Sequence, residues 1–183
     1  MRASRIVLAV VCLAALSAGA AEQSWRPDAA FTQIGAGDAT ESWSVGWLWH
    51  WNREWHWGRS LVLRGHWEVA LGRWRTELNE DRRDHTWITQ VGAVPSLRLS
   101  STTRHAWYAE LGSGPTFLLP VYRSRDRHFS TEFNFQSHLA VGYLLGERGE
   151  HDLGLRIDHF SNAGIREPNP GINLASFRYT YRL

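Results

Sequence analysis

Trp43-Ser44-Val45-Gly46-Trp47-Leu48-Trp49-His50-Trp51 alternates with period two over nine positions, with large apolar side chains on one face. Successive side chains on a strand point to opposite faces, so one face here is aromatic and the other small or polar. The whole chain carries eleven tryptophans in 183 residues, yet its mean hydropathy is slightly negative, at -0.37. A transmembrane β-barrel reconciles the two numbers. Its lipid face takes alternate residues, its lumen is polar, and aromatic girdles mark both interfaces. No helical period of any length competes with this reading.

Outward from that run, the alternation recurs. Ala29 to Gly37 reads as a first strand, and Asp38-Ala39-Thr40 as a turn. The tryptophan run is the second strand, with Asn52-Arg53-Glu54 expected as a tight turn after it. Ser60 to Trp74 puts Leu61, Leu63, Trp67, Val69 and Leu71 on one face, with Arg64, His66 and Glu68 on the other. A polar loop from Glu77 to Asp84 follows. A fourth strand runs from His85 to about Leu99, with Pro95 as an irregularity. The fifth covers about Arg104 to Gly112, and Gly114-Pro115 is expected in a longer connection ending in Arg123-Ser124-Arg125-Asp126-Arg127. Phe129 to Leu145 is the sixth. Leu153-Gly154-Leu155-Arg156-Ile157 begins the seventh run of alternation. The last strand sets Ala175, Phe177, Tyr179, Tyr181 and Leu183 against Ser176, Arg178, Thr180 and Arg182. The sum is an all-β fold, an eight-stranded antiparallel transmembrane barrel of outer-membrane type.

The first residues read as an export signal. Arg2 and Arg5 give a positive start, Ile6 to Leu16 an apolar middle, and Ala18-Gly19-Ala20 a small-residue cleavage pattern. Residues 1–20 are therefore expected as signal peptide and 21–183 as one barrel domain, in the bacterial outer membrane. The single cysteine, Cys12, falls inside the signal, which leaves a mature chain without disulfides. All twenty basic residues are arginine, which excludes lysine Schiff-base chemistry. A net charge of +2 gives no pointer to nucleic acid. His50 and His56 lie among tryptophans without a ligand-spaced partner set, so the segment from Trp47 to Trp57 reads as an interfacial girdle, not a metal site.

The chemistry is concentrated in Asp158-His159-Phe160-Ser161-Asn162-Ala163-Gly164-Ile165-Arg166-Glu167-Pro168-Asn169-Pro170-Gly171. His159 and Ser161 are two apart, hence on one strand face, at the end of the apolar stripe Leu153, Leu155, Ile157. With both chain ends in the periplasm, that stripe faces lipid near the outer leaflet. Polar groups facing hydrocarbon are costly and tend to be functional. A serine with a histidine base suits an acyl ester whose chain remains in the lipid. A His-x-Ser pair alone is a weak motif, since most buried hydroxyls and imidazoles are simply satisfied polar groups. The donor-rich Asn-Ala-Gly…Pro-Asn-x-Gly bend that follows is what strengthens it.

His159-Phe160-Ser161-Asn162-Ala163-Gly164 followed by Pro168-Asn169-Pro170-Gly171-Ile172 resembles the signature of the lipid A 3-O-deacylases, the PagL family. The resemblance is specific in the last two strands and generic before them. It implies hydrolysis of the 3-hydroxyacyl ester at position 3 of lipid A in lipopolysaccharide, without metal or organic cofactor, and it implies a homodimer. It assigns Ser161 as nucleophile, His159 as general base, and Asn162, Gly164 and Asn169 to the oxyanion hole. The third triad member of the family is a glutamate; this chain has Asn173 there, with Glu167 as second candidate. An aromatic partner from strand six is implied, either Phe133 or Phe135. The loop arginines Arg75, Arg82, Arg83, Arg123, Arg125 and Arg127 either meet lipid A phosphates or are solvated loop charges. Two rivals remain: a non-enzymatic outer-membrane barrel serving adhesion or structure, and a soluble lipid-binding barrel holding Trp43, Trp47, Leu61 and Phe177 in its lumen.

Overall fold

The computed structural model describes residues 25–81, 83–102 and 106–183. The expected signal segment, Arg82 and residues 103–105 lie outside them. The described chain forms β1 (Ala29–Gly37), β2 (Thr40–Trp57), β3 (Leu61–Glu77), β4 (His85–Ser101), β5 (Trp107–Leu119), β6 (Phe133–Leu145), β7 (His151–Ser161) and β8 (Ile172–Arg182). Neighbours in sequence pair antiparallel, and β8 closes on β1, so the sheet is a complete barrel with no open edge. Both ends of the described chain lie at one rim, where the Leu183 N–H donates to the Asp28 carbonyl at 2.9 Å. Ser161 ends β7 at the opposite rim.

Period-two patterning decides the faces. Ile34, Val45, Leu71, Leu139, Leu155 and Ile157 look outward from their strands and are exposed. Trp43, Trp47, Leu61 and Phe177 do the same, which removes the soluble lipid-binding reading: the greasy face is outside. Outward aromatics gather toward each rim, as membrane interfaces demand. Trp43 meets Trp87 edge-on at 5.2 Å near the rim carrying Ser161, and Trp107 meets Tyr143 at 5.0 Å near the other.

Inside, the lumen is filled by charge. Arg156 and Arg178 each donate twice to the Glu68 carboxylate, at 2.6–3.2 Å. Asp158 accepts from Arg156 Nε at 2.7 Å, Gln136 at 2.9 Å, and Gln33 and Ser176 at 3.0 Å. Arg98 bridges Glu110 and Asp152 at 2.7 Å each. These groups lie in a low-dielectric interior, so each charge requires its partner.

Three elements differ from the sequence expectation. The turn expected at Asn52-Arg53-Glu54 is absent. β2 continues to Trp57 through an irregularity between His50 and Glu54, and the reversal comes at Gly58, whose φ of +64° suits a tight turn. The register resumes there with Glu54 facing Arg64, and Arg64 Nε donates to Glu54 at 2.6 Å. Gly114-Pro115 is inside β5, not in a connection. Pro115 is housed because the β4–β5 ladder passes from Gly92↔Thr116 directly to Ser96↔Gly112, and Pro95 falls in the same gap. Two residues without an N–H thus share one interruption of the ladder. Finally, β6 begins at Phe133, four residues later than expected, because Phe129 turns into the barrel mouth. There it packs with Tyr122, Trp74, Ile88, Leu118, Phe160, Ile172 and Leu174 as an apolar plug under the site-bearing rim.

Candidate active site

The plug fixes the backbone on which the candidate residues ride. Phe160 points inward and meets Trp74 edge-on at 4.7 Å, so its neighbours His159 and Ser161 must point outward. Ile172 and Leu174 are buried in the same plug, which turns Asn173 outward between them. The β7–β8 register places His159 directly opposite Asn173.

The three side chains form one line. His159 Nδ1 lies 2.8 Å from Asn173 Oδ1, and His159 Nε2 lies 3.2 Å from Ser161 Oγ. A carbonyl oxygen only accepts, so Nδ1 carries the proton and donates to Asn173. Nε2 is then the free acceptor, and the Ser161 hydroxyl donates to it. Glu167, the other candidate for the third position, is elsewhere: its Oε2 accepts the Asn169 backbone N–H at 2.9 Å. Phe135 is the cross-strand partner of Ser161, so it and not Phe133 adjoins the hydroxyl.

The bend after Ser161 is a tight turn. Ala163 and Gly164 have φ of 57° and 79°, and the Ile165 N–H donates to the Asn162 carbonyl at 3.1 Å. Two successive positive φ values with that hydrogen bond make a type I′ turn. A non-glycine residue in this region is strained, and here the strain sits two residues from the candidate nucleophile. Asn162 is fully buried and holds the loop together. Its Nδ2 donates to Arg166 O at 2.7 Å and to Ser130 Oγ at 3.1 Å, and its Oδ1 accepts the Gly164 N–H at 3.0 Å. The Asn162 backbone N–H donates to Asn169 Oδ1 at 3.0 Å. Of the three residues expected at an oxyanion hole, Asn162 and Gly164 therefore have these donors engaged inside the loop. Asn169 Nδ2 donates to none of the described residues.

Sequence reading missed two supports. Gly171, at φ +65°, passes so close to the imidazole that a Cβ there would stand 2.9 Å from His159 Cε1. Arg127 holds that backbone in place, donating from Nη1 to the Gly171 carbonyl at 2.7 Å. The position of Gly171 in a Pro-Asn-Pro-Gly turn marks the positive φ, but nothing local marks its contact with His159. We expect Gly171→Ala to add about 1–2 kcal/mol of backbone strain and to push the imidazole off line. Turnover at the His159 line should fall on the order of 10²-fold, with the barrel still folded on an unheated gel. Unchanged turnover would show that the glycine has no part in seating His159.

Metal chemistry has one candidate among the described residues. His66, Glu68 and Glu110 bring ligand atoms within 4.8 Å of one another in the lumen. Both oxygens of Glu68 are already bound to two arginines, so this set serves the charge network. It lies on the face opposite to the His159 line.

Comparison with known proteins agrees with this architecture. A family model described as lipid A 3-O-deacylase (PagL) matches residues 39–182. The lipid A deacylase PagL of Bordetella bronchiseptica is 38% identical over 98 residues, covering 54% of this chain and 51% of that protein. This match thus spans about half the length of that relative. The lipid A deacylase PagL of Pseudomonas aeruginosa is 24% identical over 173 residues, covering 94% of this chain and 96% of that one. The crystal structure of the outer membrane enzyme PagL superposes with a TM-score of 0.73 at 20% identity, covering 85% of this chain and 99% of that one, which shows the shared fold. By the extent of the family match, together with this barrel, the chain belongs to the lipid A 3-O-deacylase (PagL) family of the outer membrane.

Proposed function

We propose that this barrel hydrolyses the 3-hydroxyacyl ester at position 3 of lipid A by a serine mechanism in the outer leaflet. The observation that carries the reading is the line Asn173–His159–Ser161 on the lipid-facing wall, at 2.8 and 3.2 Å. Ser161 Oγ attacks the acyl carbon while His159 Nε2 takes its proton. Asn173 Oδ1 holds the imidazole in the required tautomer. The tetrahedral intermediate collapses, the bond from the acyl carbon to the sugar oxygen breaks, and His159 returns the proton to that oxygen. Water, deprotonated by the same nitrogen, then releases a 3-hydroxy fatty acid and restores Ser161. Asn169 Nδ2 is the donor we assign to the oxyanion, with the Asn162 and Gly164 N–H groups holding the bend that aims it. Preorganised donors of this kind contribute about 3–4 kcal/mol each. Side chains and water suffice, so no metal or organic cofactor enters. A homodimer in the membrane belongs to the same reading.

A non-enzymatic barrel would need none of this. The experiment is mass spectrometry of lipid A from cells making the protein, with loss of one hydroxyacyl mass expected. Lipid A left fully acylated by a folded wild-type barrel would favour the inert reading.

Asn173 supplies orientation without charge. A carboxylate there would also stabilise the imidazolium through a stronger, charge-assisted hydrogen bond. Asn173→Asp should therefore be tolerated, or raise turnover up to about tenfold. A collapse comparable to losing Ser161 would remove Asn173 from the assignment.

A further inference from the structure

Ser113, Ser137, His159 and Asn173 form one row across the barrel wall. Ser113 pairs with Ser137, Ser137 with His159, and His159 with Asn173, across β5, β6, β7 and β8. All four belong to the outward set of their strands. The row toward the near rim is Pro115, Phe135 and Ser161; the row on the other side is Leu111, Leu139, Ile157 and Ala175. Apart from Ser161, both flanking rows are apolar. The mechanism uses His159 and Asn173 from the polar row and leaves the two serines without a task.

The serines are built as a pair. Ser113 Oγ and Ser137 Oγ are 2.7 Å apart, and Ser113 is buried while Ser137 is half-buried. A single mutual hydrogen bond leaves one hydroxyl proton and several lone pairs unused, and neither hydroxyl has another partner among the described residues. Two alanines would fill this wall without placing polar atoms in hydrocarbon, where unsatisfied hydroxyls are unfavourable. The pair is therefore placed for a polar group that arrives with a lipid.

The distance selects that group. Ser137 and Ser161 are diagonal neighbours across β6 and β7, with Cβ atoms about 7 Å apart. When Ser161 Oγ bonds the acyl carbon, C3 of the chain lies two carbons further on. A hydroxyl on C3 then has the reach to hydrogen-bond Ser137. An unsubstituted chain would leave the remaining hydroxyl proton of the serine pair without an acceptor under hydrocarbon, and a site built for a hydroxyl discriminates against its absence for that reason.

We propose that Ser137 binds the 3-hydroxyl of the acyl chain being cleaved, that Ser113 holds Ser137 in position, and that the pair makes this barrel selective for 3-hydroxyacyl esters. This rests on the serine-esterase reading above. It adds a specificity residue on β6 and a positioning residue on β5. Both lie on the acyl side of the scissile bond, away from the sugar and its phosphates.

The test uses the purified full-length barrel in detergent and two glucosamine esters acylated at O3. One carries a 3-hydroxyacyl chain and the other an unsubstituted chain of the same length. The readout is the ratio of the two kcat/KM values on one preparation, so a loss of folded protein cancels. Wild type should favour the hydroxylated ester roughly three- to tenfold, the range of one hydrogen bond. Ser137→Ala should bring the ratio near one and Ser137→Thr should restore it. Ser113→Ala, which loosens the pair from the other side, should reduce it. A wild type that cleaves both esters equally, or a Ser137→Ala ratio equal to that of wild type, overturns the subsite and leaves the esterase intact. A folded wild type that cleaves neither ester overturns the esterase reading and this one with it.

Discussion

Ser161→Ala and His159→Ala are each expected to leave lipid A fully acylated in cells making the folded barrel. Turnover in detergent should fall by more than about 10⁴-fold for either change, and the double variant should be little worse than the singles, because the two groups act as one unit. Neither substitution touches the plug or the lumen network. Both side chains face outward, while Phe160 between them carries the packing. Heat-modifiable migration and urea resistance should therefore match wild type. Loss of one hydroxyacyl mass from lipid A with either variant would refute the assigned roles. Activity falling together with the folded fraction would show that the pair is structural.

Glu68→Ala should act on the barrel itself and not on the chemistry. Glu68 is fully buried and takes four hydrogen bonds from Arg156 and Arg178. Its removal leaves the Arg178 guanidinium with Gln33, and the Arg156 guanidinium with Asp158, as hydrogen-bond acceptors in the buried interior. Breaking a buried ion pair from one side destabilises by about 3–5 kcal/mol, and here one removal takes two hydrogen bonds from each of two arginines. The urea midpoint should drop clearly, and the fraction that remains folded should keep its turnover per barrel. Replacing Glu68, Arg156, Asp158 and Arg178 together with apolar residues of similar volume, so that no charge is left unpaired, should recover most of the loss, since burying these charges is itself costly. A Glu68→Ala barrel as resistant as wild type would mean that the lumen network contributes little to stability.

The two results separate layers that share one strand. On β7, even-numbered positions build the interior: Asp152, Arg156, Asp158 and Phe160. Odd-numbered positions carry the lipid face and the proposed catalytic pair: Leu155, Ile157, His159 and Ser161. A one-residue slip of register would exchange the two sets. The buried hydrogen bonds from Gln136 on β6 and Ser176 on β8 to Asp158, and the Phe160–Trp74 packing, therefore hold the register on which the His159–Ser161 line depends.

Strand identity, the outward face and the closed antiparallel barrel were legible in the sequence, because period-two alternation is a local property and each strand displays it alone. β1 and the end of β6 stand where alternation put them. The His-x-Ser spacing was legible for the same reason. What a neighbouring strand or loop supplies was not. The reversal at Gly58 in place of Asn52-Arg53-Glu54, the prolines housed in one gap between β4 and β5, and Phe129 folded into the mouth all depend on a partner's position. So does the choice of Asn173 over Glu167 as the group on His159, of Phe135 over Phe133 beside Ser161, and of Gly171 as the residue under the imidazole. Alternation tells which way a side chain points, and only the register between strands tells what it meets.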